Sequence, residues 1–249
     1  MEGRETERQW VRMKVEGWAE SVKKLDGVAR KHPQSAYEGL QKSLQQEWAF
    51  VQRVTPGIGE EFGPVEEDIA KAFLPALFEV VGDGALGREI TRLPVKQAGM
   101  ALPNPTRTAP ENWQASCVIT GHLVSALRGQ VPFQMADHAA CIWDGRAAVR
   151  RQNVAKAMAS LETNITRAPV VVTRRLQRAT KTGAWLTVQP STVNRTELRA
   201  QEWQDAAFLR SQLSTVDCRR LHRRPGPSFR RPLQSTGEKR WGPGDGRLR

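Results

Sequence analysis

Two apolar stripes at helical spacing constrain this chain more than any other feature. Val11, Val15, Trp18, Val22 and Leu25 recur at intervals of four, three, four and three. That pattern puts them on one face of an amphipathic helix, which closes near His32-Pro33. Ser35 and Glu38 have capping-box spacing and open a second helix. Its stripe is Tyr37, Leu40, Leu44, Trp48 and Val51, and Thr55-Pro56-Gly57 stops it. The short connection makes the two an antiparallel pair whose tryptophans read as core, not as a platform for stacking bases.

The rest of the chain continues in the same style. A third helix carries Val65, Ile69, Phe73, Leu77 and Val80, with a kink expected at Pro75 and an end at Gly82-Asp83-Gly84. Prolines 94, 103, 105 and 110 make Leu93–Pro110 a long irregular connector. A fourth helix would turn Trp113, Cys117, Thr120, Leu123 and Leu127 inward and stop at Gly129. A fifth, from about Asp137 to Leu161, lines up Ala140, Trp143, Ala147, Val154, Met158 and Leu161. The expected fold is mainly α, an irregular helical bundle.

One stretch departs from that style. Trp185–Val188, between Gly183 and Pro190, has strand composition. Asn194 and Glu197 then have N-cap and capping-box spacing. Leu198, Ala206, Leu209 and Leu213 follow on one helical face, with Trp203 beside it. The expectation is a strand-turn-helix unit near 183–213. The chain divides into an N-terminal amphipathic helix (1–31), a helical region (32–129), a second helical region with this unit (130–213), and a disordered arginine-rich tail (214–249).

Charge narrows the function. Through Ser116 there are 15 Lys+Arg against 17 Asp+Glu, and beyond it 23 against 9, so the whole net charge of +12 arises in the second half. Such asymmetry points to polyanions. Arg174, Arg178 and Lys181 stand at i, i+4 and i+7, with Arg175 flanking, so a helix would gather them into a stripe able to contact phosphates of RNA or DNA. The alternative is a solvated helix face. From Ser214 on, ten Lys+Arg meet three Asp+Glu amid Pro and Gly, which reads as a disordered tail. No run of about 18 apolar residues exists, so no membrane span is expected. The charged N-terminus shows no secretory signal, and three cysteines suit a reducing, intracellular compartment.

Four collinear blocks add a resemblance. His32–Gly57, Arg92–Pro105, Ala115–Leu123 and Lys181–Arg210, the last containing Gly183-Ala-Trp-Leu-Thr and the pair Leu209-Arg210, resemble reverse transcriptase-like proteins of non-LTR retrotransposons. The blocks correspond to the helices downstream of the polymerase palm. Arg195 stands where the family has Gly, which makes a tight turn after Asn194 harder. The family polymerises with aspartates of a Tyr-x-Asp-Asp turn that hold two metal ions. Here the single tyrosine, Tyr37, precedes Glu38-Gly39 and no Asp-Asp pair occurs, so no catalytic residue is carried over. The resemblance stops at Arg210, short of the family's cysteine-rich segment. It implies a non-catalytic fragment, with non-specific RNA or DNA binding through Arg174, Arg175, Arg178 and Lys181. The alternative is a helical interaction module or a non-functional translated remnant. First helices built to pack on an absent palm would expose their stripes and drive self-association.

Other chemistry finds little support, and no cofactor is expected. Gly57–Pro64 is glycine-rich but lacks the Lys-Ser/Thr of a phosphate-binding loop and reads as a helix-helix turn. Glu66, Glu67 and Asp68 are consecutive, so a helix points them apart. His138-x-x-Cys141 and Cys218-x3-His222 would together supply four zinc ligands, but the second pair lies among arginines that oppose a dication. Cys117 and His122 share a helix without an orienting acid.

Overall fold

The computed structural model describes residues 2–78, 85–180 and 182–211. The chain is mainly helical, and no strand occurs among the described residues. Helix α1 (Glu2–Ala29) buries Val11, Val15, Trp18 and Val22, with Leu25 packed at the edge. Helix α2 (Pro33–Glu38), a π-helical stretch Gly39–Leu44 and α3 (Gln45–Val54) run on without a break. This continuous helix buries Tyr37, Leu40, Trp48 and Val51 against α1, so the first stripes find each other and are not left exposed. Trp18 stacks on Phe62 at 6.0 Å and meets the edge of Trp48 at 6.4 Å, while its Nε1–H donates to Glu47 at 3.0 Å. The capping box is not used. Pro33 occupies the first turn behind His32 as N-cap, which starts the helix early and leaves Ser35 inside it.

Gly57, at φ 69°, turns the chain into a 3-10 turn, Glu60–Phe62. Then come α4 (Gly63–Asp68), a second π-helical stretch Ile69–Phe73, and α5 (Leu74–Phe78). The widening falls just before Pro75, where an α-helix would drive the proline ring into the carbonyl of Lys71. The kink expected at Pro75 is therefore this enlarged turn. Val80 and the Gly82–Gly84 stop lie outside the described residues. The three consecutive carboxylates do point apart: Glu66 pairs with Arg88 at 2.6 Å, Glu67 with Lys71 at 2.7 Å and Asp68 with Lys23 at 3.5 Å.

The connector is more ordered than its prolines suggest. It follows a short helix, α6 (Ala85–Thr91), and contains a 3-10 turn, Val95–Gln97. The Thr91 carbonyl accepts from both Met100 N and Leu102 N. Arg88 reaches across from its Glu66 pair to donate to the Leu102 carbonyl at 2.6 Å. A Cβ at Gly99 would collide with the Leu93 carbonyl, so only glycine fits that loop. Asn104 accepts from Thr106 N at 2.9 Å, and with Pro105 behind it starts α7 (Pro105–Leu127) eight residues before Trp113.

Helix α7 turns at Gly129, φ 70°, and α8 (Met135–Arg167) returns beside it. A Cβ on Gly145 would sit 3.3 Å from the Ile119 Cα, so the missing side chain sets how closely the helices approach. Here the inward faces read from sequence are corrected. Cys117 is exposed, Leu127 is 80% exposed and Trp143 72%. Of the residues expected to face inward from α8, Leu161 is buried, whereas Ala140, Ala147, Val154 and Met158 are exposed. The two helices pack on each other, and α7 also packs extensively on α3, where Gln52 bonds the Pro105 carbonyl and Asn112, whereas α8 reaches the rest of the body little. Amphipathic spacing reports an apolar face, not whether a partner covers it.

Helix α9 (Val170–Ala179) buries Val172, Leu176 and Ala179 in a second small core with Ile90, Leu93, Ala98 and Leu161. A 3-10 turn, Ala184–Thr187, and α10 (Ala200–Ser211) complete the described chain. All described residues belong to one compact unit. The arginine-rich tail, 214–249, lies outside them.

Candidate nucleic-acid interface

The basic stripe sits on α9. Packing Val172, Leu176 and Ala179 inward at i, i+4 and i+7 leaves Arg174 and Arg178 on the other side, and both are exposed. Thr173 Oγ1 donates to the Ile165 carbonyl at 3.2 Å and ties the first turn of α9 to the end of α8. No ion pair among the described residues engages Arg174 or Arg178. The side chain of Arg175, and Lys181 altogether, lie outside the described residues. Two of the four residues named from sequence are thus placed together on one helix face.

What holds that helix is a buried cation. Arg210, on α10, is 4% exposed and donates to three carbonyls: Ala179 at 2.7 Å, Gly99 at 3.2 Å and Val95. Burial holds its guanidinium below the ordinary arginine value, with Tyr37 acting the other way. Gly183 packs on it, since a Cβ there would lie 2.6 Å from Nη2. Around this point the chain's distant segments converge. Trp203 sits 5.6 Å from Tyr37, 6.0 Å from Trp185 and 6.4 Å from Phe78. The Tyr37 hydroxyl donates to the Met100 carbonyl at 2.7 Å. Gln34 donates to the Thr196 carbonyl at 3.1 Å and accepts from Leu198 N at 2.8 Å.

This region also corrects the strand-turn-helix expectation. Trp185–Thr187 lie in a 3-10 turn, not a strand, because Leu186 and Val188 close turn bonds to Gly183 and Trp185. Helix α10 starts at Ala200, and Glu202 accepts from Arg199 N at 3.1 Å; Asn194 does not cap it. Asn194 instead lies in a tight turn that Arg195 makes in the left-handed region, φ 55°. Among the described side chains α10 buries Trp203, Gln204, Ala207 and Arg210; Leu198 precedes the helix and is exposed, Ala206 is half-buried, and the Leu209 side chain and Leu213 lie outside the described residues. A charged residue on the core face defeats a reading based on apolar periodicity.

The metal reading gains no geometry. Cys141 turns its thiol to the Val118 and Ile119 carbonyls at 3.7 and 3.8 Å. His138 stacks on His122 at 6.2 Å, beside Phe133. No group of three possible ligands forms among the described residues. Cys218 and His222 lie outside them.

Sequence reading passed over Lys96, Arg146 and Arg150. They border an open groove of about 850 Å³ between α8, Ile119 of α7, the Val95–Gln97 turn, and Thr180, Gly183, Ala184 and Thr187. The i, i+4 spacing of Arg146 and Arg150 was the available signal, but it pointed to no particular neighbour. Comparison with family models, with characterised proteins and with solved structures finds no match for this chain.

Proposed function

We propose that the chain is a non-catalytic, helical fragment related to retrotransposon reverse transcriptase-like proteins, and that it binds nucleic acid through phosphate contacts without sequence preference. The observation that carries the binding is the exposed pair Arg174 and Arg178, one turn apart on a helix anchored from behind. The surrounding sequence supports it, since residues 145–182 hold nine Lys+Arg and a single carboxylate, Glu162. Phosphate-tracking surfaces have this unbalanced character. By sequence spacing, Arg175 and Lys181 would add to the same stripe. The relationship rests on the four sequence blocks, and their mutual packing around Trp203 and Arg210 supports reading three of them as parts of one fold.

The test is fluorescence anisotropy with labelled single-stranded RNA and duplex DNA of mixed sequence over a salt series. Affinity falls steeply with salt and differs little between sequences. Replacing Arg174 and Arg178 by Ala lowers the magnitude of the salt slope on duplex DNA by about two, roughly one per lost phosphate contact. An unchanged slope and affinity in that double variant removes the assignment.

A further inference from the structure

The groove beside α8 is a different kind of surface from the α9 stripe. Its α8 wall is built from Arg146, Val149, Arg150, Asn153, Val154 and Ala157. These positions follow the i, i+3, i+4, i+7, i+8, i+11 pattern of one helical face, so the trough runs three turns, about 16 Å. Its lining is mostly aliphatic, from Val95, Ile119, Val149, Val154 and Ala184, with Gln97 and Asn153 among the polar members. Val154 is half exposed at 50%, so this apolar surface is open to a partner. Among the described lining residues the cations are Lys96, Arg146 and Arg150, and none is a carboxylate. None of the three enters an ion pair among the described residues.

We infer that this groove binds an acidic amphipathic helix of a partner protein. The match is one of length, polarity and charge. A helix of about three turns spans the trough, and residues at i, i+4, i+7 and i+11 of such a helix form one apolar ridge. Carboxylates flanking that ridge meet Lys96, Arg146 and Arg150 at the edges, where they steer approach and fix direction. Single-stranded nucleic acid fits the lining less well. Its sequence-tolerant binding uses aromatic planes for base stacking, and none of the described lining residues is aromatic. A phosphate chain would engage Lys96, Arg146 and Arg150 but leave the aliphatic part of the lining without an apolar partner.

The probe is a fluorescein-labelled designed peptide of about 15 residues, with Leu on the i, i+4, i+7, i+11 ridge and Glu on both flanks. Its control has the same composition with the ridge scrambled. Anisotropy at low salt is expected to show saturable binding of the probe and none of the control. Arg146→Ala with Arg150→Ala weakens binding about fivefold to tenfold, by loss of two attractive edge charges. Val154→Asp, which puts a like charge on the floor, weakens it more than tenfold. Both changes are at exposed positions, and unshifted circular dichroism melts verify the fold. The Arg174→Ala, Arg178→Ala variant retains full peptide binding, so failure of the phosphate stripe and failure of this site give different results. The inference is overturned if the chain does not bind the probe, binds the scrambled control equally, or binds undiminished in both groove variants. It is also overturned if an oligonucleotide displaces the probe and its own binding is lost in those variants, which would assign the groove to nucleic acid.

Discussion

Replacing Arg210 by Met tests whether a buried guanidinium holds the second half of this protein together. Methionine keeps much of the unbranched stem and removes the donors. The Ala179 carbonyl would keep its bond from Thr182 N, at 3.2 Å, while those of Val95 and Gly99 would lose their Arg210 donor. Two orphaned acceptors at about 1–3 kcal/mol each give a gross cost near 4 kcal/mol. Removing the cation also removes its desolvation penalty, which offsets part of that cost, so the net loss is about 3 kcal/mol. For a domain of this size that lowers the melting temperature by about 10 °C. A circular dichroism melt at 222 nm with matched urea titrations measures it, and the wild type should melt cooperatively. Arg210→Lys should recover less than half, because an ammonium cannot span three carbonyls as a planar fork does. A loss below about 1 kcal/mol for Met, or full recovery by Lys, would refute the reasoning.

Three further outcomes follow from other sites. Burial pushes the Tyr37 phenol above its ordinary value, so the unfolded chain ionises it first. The stability it contributes is complete below about pH 10 and declines as pH rises beyond that. Because Tyr37 is the only tyrosine, phenolate absorbance near 295 nm reports on it alone and should appear at higher pH in the native protein than in denaturant. Arg195→Gly relieves the left-handed strain at φ 55° and should stabilise by up to about 1 kcal/mol, read as a rise in urea midpoint at constant slope; a fall would mean the Arg195 side chain holds the turn. Glu66→Ala leaves Arg88 largely buried without its carboxylate and should cost about 3 kcal/mol. Glu67→Ala, which touches only an exposed Lys71 pair, should leave the melt unchanged. Equal effects of these two neighbours would contradict the assigned pairings.

The sequence was most legible where helices pack on helices near one another in the chain. Val11 through Val51 could be read correctly because both stripes are apolar, regularly spaced and mutually satisfied. Legibility failed where the partner is remote or polar. Trp143 and Leu127 have core-like spacing but stand on faces of the α7–α8 hairpin that leave both side chains exposed. Helix α6 is seven residues long, contains Gly87 and is held by the Arg88–Glu66 pair, none of which periodicity detects. Arg210 is a core residue that no hydrophobic count would select. Its three acceptors come from two segments more than thirty residues away or further, as separations of 31, 111 and 115 show. Of the candidate interface, the exposure of Arg174 and Arg178 followed from spacing, whereas the groove along α8 required tertiary proximity to become visible.

The α7–α8 hairpin has a mechanical consequence. Helix α8 is attached to the body near Ala157, Leu161 and Asn164, at the far end of a 33-residue rod. From Ala157 back to Met135 the helix runs about 33 Å at 1.5 Å per residue, with α7 packed along it. Tilting such an arm by about 5° at its base carries the tip roughly 3 Å by that same rise per residue. The groove from Arg146 to Ala157 runs along the half of this length nearest the base. Whatever wedges into it pushes on the lower half of a lever, and Leu127, Phe133 and Met135 ride at its tip.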